Sequence, residues 1–196
     1  MDGKHLEKFA WLSLATGFVV LALKLVAWQV TGSVGLLSDA MESTVNIGAA
    51  LVAVFALRAS NRPPDAEHHF GHGKAEYLSA MFEGFLILAA SAAIIATAVN
   101  RLLNPQELEQ VGIGLAISVL ASVLNGAVGV LLLRVGRKHR SMVLVADGKH
   151  LLTDVWTSAG VVVGVAAVAL TGWVRLDPII ALAVGANILW TGWGLL

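Results

Sequence analysis

Two stretches of this chain carry acids and a histidine inside otherwise apolar surroundings. LLSDAMESTVNIGAAL holds Asp39, Glu42 and Asn46, and LVADGKHLLTDVW holds Asp147, His150 and Asp154. In both, an Asp is followed three residues on by a second polar group and four residues later by a third. Laid in register, Asp39 falls on Asp147, Glu42 on His150, and Asn46 on Asp154. Offsets of three and four place all three groups on one face of a helix. Two such faces brought together would offer Glu42, Asn46, His150 and Asp154 to one ion. Four nitrogen and oxygen donors suit a tetrahedral divalent cation such as Zn2+. Asp39 and Asp147 lie one turn before the cluster, where they either join it or act from behind it, orienting the ligands or relaying protons.

A second group of donors is Asp65, Glu67, His68, His69 and His72, in RASNRPPDAEHHFGHGKAE. Histidines at this density beside acids resemble a metal-binding tract, against the plainer reading of a solvated loop with incidental affinity. Elsewhere Glu83 stands as a lone acid suited to a proton or structural role. Lys24 is a lone cation that either snorkels or pairs with an acid. Asn125 and Asn187, isolated in their segments, read as packing hydrogen bonds between helices.

The elements that carry these groups belong in a membrane. The chain has 196 residues, of which 57% are hydrophobic and 13% charged, against about 25% charged in soluble domains. Mean hydropathy is +0.79. A chain this short cannot hide so much apolar surface in its own core, so lipid must cover it. A spanning helix needs about 20 mostly apolar residues. Six segments qualify, at Phe9–Val30, Val34–Leu57, Tyr77–Leu103, Val111–Val135, Met142–Thr171 and Val174–Leu196. Short connectors with breakers separate them (Thr31-Gly32-Ser33, Asn104-Pro105, Gly172), and β-barrel alternation is absent. The expected fold is an all-α, six-helix integral membrane protein. The start of the chain lacks a cleavage signal after its apolar stretch and reads as an anchor.

Inside such helices each ionisable group costs about 2.5–3.5 kcal/mol on insertion scales, so each needs a reason. Orientation follows from the basic residues. Lys4, Lys8, Arg58, Arg62, Lys74, Arg134, Arg137, Lys138 and Arg140 lie on one side, Arg101 and Arg175 on the other. This places both termini and the histidine loop in the cytoplasm. Trp11, Trp28 and Trp173 fall near helix ends, where indoles favour the interface. Gly160 and Gly164 are spaced for close helix packing. Zero formal net charge and no long basic run argue against nucleic acid, and the absence of cysteine excludes thiolate ligands.

The strings TGSVGLLSDAMES, HHFGHGKAEYLSA and ADGKHLLTD give the chain its resemblance to the cation diffusion facilitator family of zinc transporters, over essentially all six segments. The resemblance implies a cation-efflux transmembrane domain over residues 1–196, in the cell (inner) membrane. It implies a homodimer that exchanges Zn2+ for protons by alternating access, with Co2+, Cd2+ or Fe2+ as secondary substrates and no resident cofactor. It assigns a central site to Glu42, Asn46, His150 and Asp154, and a loop site to Asp65, His68 and His72. Family members usually place His or Asp at Glu42 and Asp at Asn46. They also continue into a cytoplasmic ferredoxin-like domain, whereas this sequence stops at Leu196, as either a truncated or a naturally short form would, so the acid that Lys74 would pair with after the sixth helix is not among these residues.

Ligand protonation supplies the expected coupling. Histidine titrates near about pH 6.5, and a metal ligand must be deprotonated, so protons and metal compete for the same lone pairs. A phosphate-binding GxxxxGK[ST] loop and an HExxH protease motif are both absent from the sequence. The chief alternative is a proton-coupled small-molecule antiporter, which also needs membrane acids but neither His150 nor the histidine loop.

Overall fold

The computed structural model describes residues 3–60, 74–139 and 141–193. They form six helices: α1 (Gly3–Thr31), α2 (Val34–Ser60), α3 (Lys74–Leu103), α4 (Val111–His139), α5 (Met142–Thr171) and α6 (Leu176–Trp193). Every expected segment is a helix, and strands are absent among the described residues. Four helices contain stretches long and apolar enough to cross a membrane: Trp11–Thr31, Gly84–Leu103, Val111–His139 and Asp147–Thr171; Leu176–Trp190 is shorter. Large apolar side chains such as Trp156, Leu170 and Trp190 point away from the protein, as a lipid-facing surface requires.

The helix ends differ from the expected spans for local reasons. Helix α1 begins at Gly3, through a polar turn containing Lys4 and Lys8, because helical hydrogen bonding continues past the point where apolarity stops. Helix α4 runs on to His139 with Arg137, Lys138 and His139 in its last turn, where cations favour the negative end of the dipole. At the end of α5, Gly172 adopts a left-handed φ of 69° and donates its N–H to the carbonyl of Val168, the usual terminator. A turn over Trp173–Arg175 then delays α6 to Leu176.

Helices α1, α2, α5 and α4 pack into a ring, and α3 and α6 pair with each other against α2, with α6 also touching α5. The closest approach is between α4 and α5. A Cβ on Gly136 would lie 2.8 Å from the backbone nitrogen of Val145, and one on Gly148 2.8 Å from the carbonyl oxygen of Gly129. These glycines therefore set how tightly the two backbones meet. The expected Gly160–Gly164 pair divides. A Cβ on Gly164 would overlap Ile180 of α6, but one on Gly160 would meet nothing within 4 Å. Position on the helix decides this, since Gly160 is on the exposed side.

Helix α2 is capped by a residue of another helix. Asp177 in the first turn of α6 accepts hydrogen bonds from Ser33 Oγ at 2.5 Å, Val34 N at 2.8 Å and Gly35 N at 3.1 Å. Ser33 Oγ in turn accepts from Leu36 N at 3.1 Å. A negative charge at a helix N-terminus satisfies otherwise orphaned N–H groups and complements the dipole. This clamp joins α6 to α2 inside the protein, with Asp177 only 1% exposed.

Candidate metal site within the helix bundle

Helices α2 and α5 meet through the last members of their two polar faces. Asn46 Nδ2 donates to Asp154 Oδ1 at 3.1 Å. The two residues are 108 positions apart, and they are the pair that the internal register superimposes. From α4, Asn125 Nδ2 donates to the other carboxylate oxygen, Asp154 Oδ2, at 3.3 Å. Each oxygen of Asp154 thus receives an amide N–H, and the carboxylate is fixed from both sides.

Helix α1 adds a cation. Lys24 Nζ donates to Asp39 Oδ1 at 2.9 Å and to Ser43 Oγ at 2.8 Å, and lies 3.9 Å from Asp154 Oδ2. Asp39 Oδ1 also accepts from Ser158 Oγ of α5 at 2.8 Å. All four helices of the ring therefore meet in one polar network. Lys24 is 2% exposed and Asp39 1%, so Lys24 pairs with an acid and does not snorkel. Unpaired, charges this deep would be very costly.

A cavity of about 80 Å3 adjoins the network, lined by Ser13, Gly17 and Val20 of α1, Ser43 and Asn46 of α2, Asn125 of α4, and Asp147, His150 and Asp154 of α5, among others. That is room for several waters or a hydrated ion. From this cavity the network runs in one direction. Lys24 follows Val20 in α1, Asp39 precedes Asn46 in α2, and Ser158 follows Asp154 in α5. All three lie toward the end of the bundle where α1 finishes and α2 starts. The cavity occupies the other side, toward the N-terminal halves of α1 and α5.

Of the sequence-derived ligands, Asn46 and Asp154 touch, and His150 and the half-buried Asp147 line the same cavity. His150 is exposed. Glu42 does not line the cavity. It sits one turn before Asn46, within electrostatic reach of Asp154, Asp39 and Lys24, and its Oε2 is buried without a hydrogen-bond partner. Among the described residues no three His, Asp or Glu side chains converge tightly enough to enclose an ion. The four residues thus share a neighbourhood without a closed shell: Asn46 and Asp154 satisfy each other, while His150 stays at the exposed edge. Asp65, Glu67, His68, His69 and His72 lie outside the described residues, as does the side chain of Glu83.

Asn125 makes the interhelical hydrogen bond expected of it, but its partner is Asp154 and its face is the cavity. Its Oδ1 remains buried and unpartnered, as do Ser118 Oγ and Ser122 Oγ on the same helix. Buried acceptors of this kind are where a water or cation docks. The spacing of Ser118, Ser122 and Asn125 along one face of α4 was the signal in the sequence.

Residues 10–196 match the family model of the cation efflux transmembrane domain. The chain belongs to that family. Among its cation efflux relatives, it is 50% identical over its whole length to an uncharacterized transporter of Synechocystis, of which it covers 63%. It is 32% identical over 96% of its length to the cation-efflux pump FieF of Klebsiella pneumoniae, again covering 63%. The FieF of Serratia proteamaculans is 35% identical over 93% of the chain, with 60% of that protein covered. The chain thus spans about three fifths of the length of these relatives. The resemblance carried by the FGHGKAE and ADGKHLLTD strings is that of the family itself.

Proposed function

We propose that this domain exports a divalent metal cation, Zn2+ in first place, in exchange for protons across the inner membrane. The observation that carries the reading is the meeting of Asn46 and Asp154 beside a cavity lined by His150 and Asp147, in a chain of the cation efflux family. Glu42, Asn46, His150 and Asp154 are the ligands: two carboxylates, an imidazole and an amide oxygen, a donor set that zinc accepts. Co2+, Cd2+ and Fe2+ are secondary substrates. The work is transport, not chemical turnover, and no resident cofactor takes part.

With both termini in the cytoplasm, the cavity faces the cytoplasm and the Lys24–Asp39–Ser158 network closes the opposite end. A zinc ion entering this cavity replaces protons on His150 and the carboxylates, because ligands bind metal only when deprotonated. Asn46 must turn its amide oxygen, not its nitrogen, toward the ion, which exchanges its hydrogen bond to Asp154 for a metal bond. When the bundle opens to the far side, protons compete for the same lone pairs and free the ion. The loop residues Asp65, His68 and His72 gather ions at the cytoplasmic mouth, and the working unit is a homodimer.

Zinc flux into proteoliposomes, with and without an imposed pH gradient, tests the reading. Gradient-dependent zinc uptake is the expected result. Failure to move zinc, together with gradient-driven movement of an organic cation, would replace it with a small-molecule antiporter.

A further inference from the structure

We infer that Lys24 is a tethered counter-cation of the transport site, setting how tightly the site holds a divalent ion and how readily it lets go. The inference rests on the transport reading above and adds to it a residue outside the ligand set.

Three observations carry it. Lys24 is among the largest fully buried side chains of the described residues, in a helix whose own cavity-lining residues (Ser13, Leu14, Gly17 and Val20) are small or apolar. Its ammonium does not serve one acid alone: it bonds Asp39 and Ser43 and stands 3.9 Å from Asp154 Oδ2, an oxygen of a proposed ligand. Glu42 lies within electrostatic reach of the same three charges.

In their ionised forms two carboxylates, Asp39 and Asp154, lie within 4 Å of the ammonium, and a third, Glu42, is within its electrostatic reach. Three negative charges less one leaves two, the number a divalent ion neutralises. A structural salt bridge would need only Asp39. The approach to Asp154 makes Lys24 a competitor of the incoming ion, because like charges a few ångströms apart in a medium of low dielectric repel strongly. The ion binds against this repulsion and leaves with its help. Ser43 and Asp39 hold the ammonium back from Asp154 far enough for both cations to be accommodated.

The consequence is a change in affinity that follows charge and not shape. Zinc binding to the purified chain is measured by calorimetry in nanodiscs, and zinc flux in liposomes. Lys24→Met should bind zinc at least about tenfold more tightly, which corresponds to about 1.4 kcal/mol. It should show a lower half-saturating zinc concentration and a lower maximal flux. Lys24→Arg keeps the charge and should stay near wild type. Combining Lys24→Met with Asp39→Asn restores the net charge and should bring affinity back to within about threefold of wild type. Asp39→Asn alone, which leaves the ammonium without its acid, should weaken binding about tenfold. It serves as the measurement if Lys24→Met does not fold.

Unchanged or weaker zinc binding in Lys24→Met, or unchanged binding in Asp39→Asn, overturns the inference. A double variant that behaves like Lys24→Met overturns it too, since packing and not charge would then be responsible. If wild type binds zinc, Asp154→Ala abolishes that binding and the Lys24 variants are silent, only this inference fails. If wild type binds no zinc, the inference falls along with the transport reading.

Discussion

At the residue scale, Asp154 is the centre of the arrangement. It receives amide hydrogen bonds on both oxygens and faces a cavity shared with His150. We expect Asp154→Ala or His150→Ala to reduce zinc flux to background while leaving a folded, membrane-inserted protein. Wild-type flux in a well-folded double variant would remove both from the transport site. In the proposed ligand set Asn46 is a neutral donor, so Glu42 and Asp154 alone would supply formal ligand charge. Asn46→Asp would add a third carboxylate, facing Asp154, and should raise affinity for divalent ions at least several-fold while slowing release. Competition flux with Zn2+, Co2+, Cd2+, Fe2+ and Mn2+ on both forms checks this. Preference of the wild type for Mn2+, unaltered by the substitution, would exclude Asn46 as a ligand, since zinc outranks manganese at mixed nitrogen and oxygen sites.

At the element scale, six helices and most of their boundaries were legible from apolar run length, because lipid admits only helices and closed barrels, and barrel alternation is absent. Run length does not tell which faces touch. The pairing of α2 with α5 was readable from two matched polar faces, but the contribution of α1 was not: a lone Lys24 gives no periodicity to read. Asn125 was visible as a polar group and its packing role was foreseen, yet its partner could be known only once α4 stood beside α5. Glycine spacing pointed to Gly160 and Gly164, whereas the tightest crossing uses Gly129 and Gly136, seven residues apart on the buried face of α4, and Gly148 of α5, whose pairing across two helices no single segment displays. Gly148 lies between Asp147 and Lys149, so the closest backbone approach is next to the cavity. Gly148→Ala should push α4 and α5 apart at a cost of about 1–3 kcal/mol, the usual range for overpacking. Thermal unfolding in detergent measures it, and an unchanged midpoint would mean that the crossing yields without strain.

At the scale of the whole molecule, the four-helix ring encloses the polar network while α3 and α6 stand outside it on the α2 side. On the proposed transport reading, the ion's path runs among α1, α2, α4 and α5. On the same reading, the residues between α2 and α3 would serve only the approach, since ions gathered there would still have to cross the bundle. Replacing His68 and His72 with Ala should slow zinc uptake at low zinc concentration and leave maximal flux measurable. Complete loss of flux, with zinc still bound by the bundle, would make the loop indispensable and reverse this ranking.

The Asp177 clamp has a mechanical consequence. It pins α2 at one end, through the N–H groups of Val34 and Gly35, to a helix outside the ring. A rod fixed at one end moves as a lever. Asn46 lies twelve residues from Val34, which at 1.5 Å per residue is an arm of about 18 Å. A tilt of about 10° about the pinned end then displaces Asn46 by about 3 Å, the span of a whole hydrogen bond. Were α2 to turn about this pinned end, a small rotation would be magnified at the Asn46–Asp154 contact while Val34 and Gly35 barely moved. Asp177→Ala would free the fulcrum. Hydrogen exchange at Val34 and Gly35 should quicken at least about tenfold, as expected when buried N–H groups lose a charged acceptor, and zinc turnover should fall as the arm loses its purchase. If exchange at those amides does not change, α2 turns about some other point.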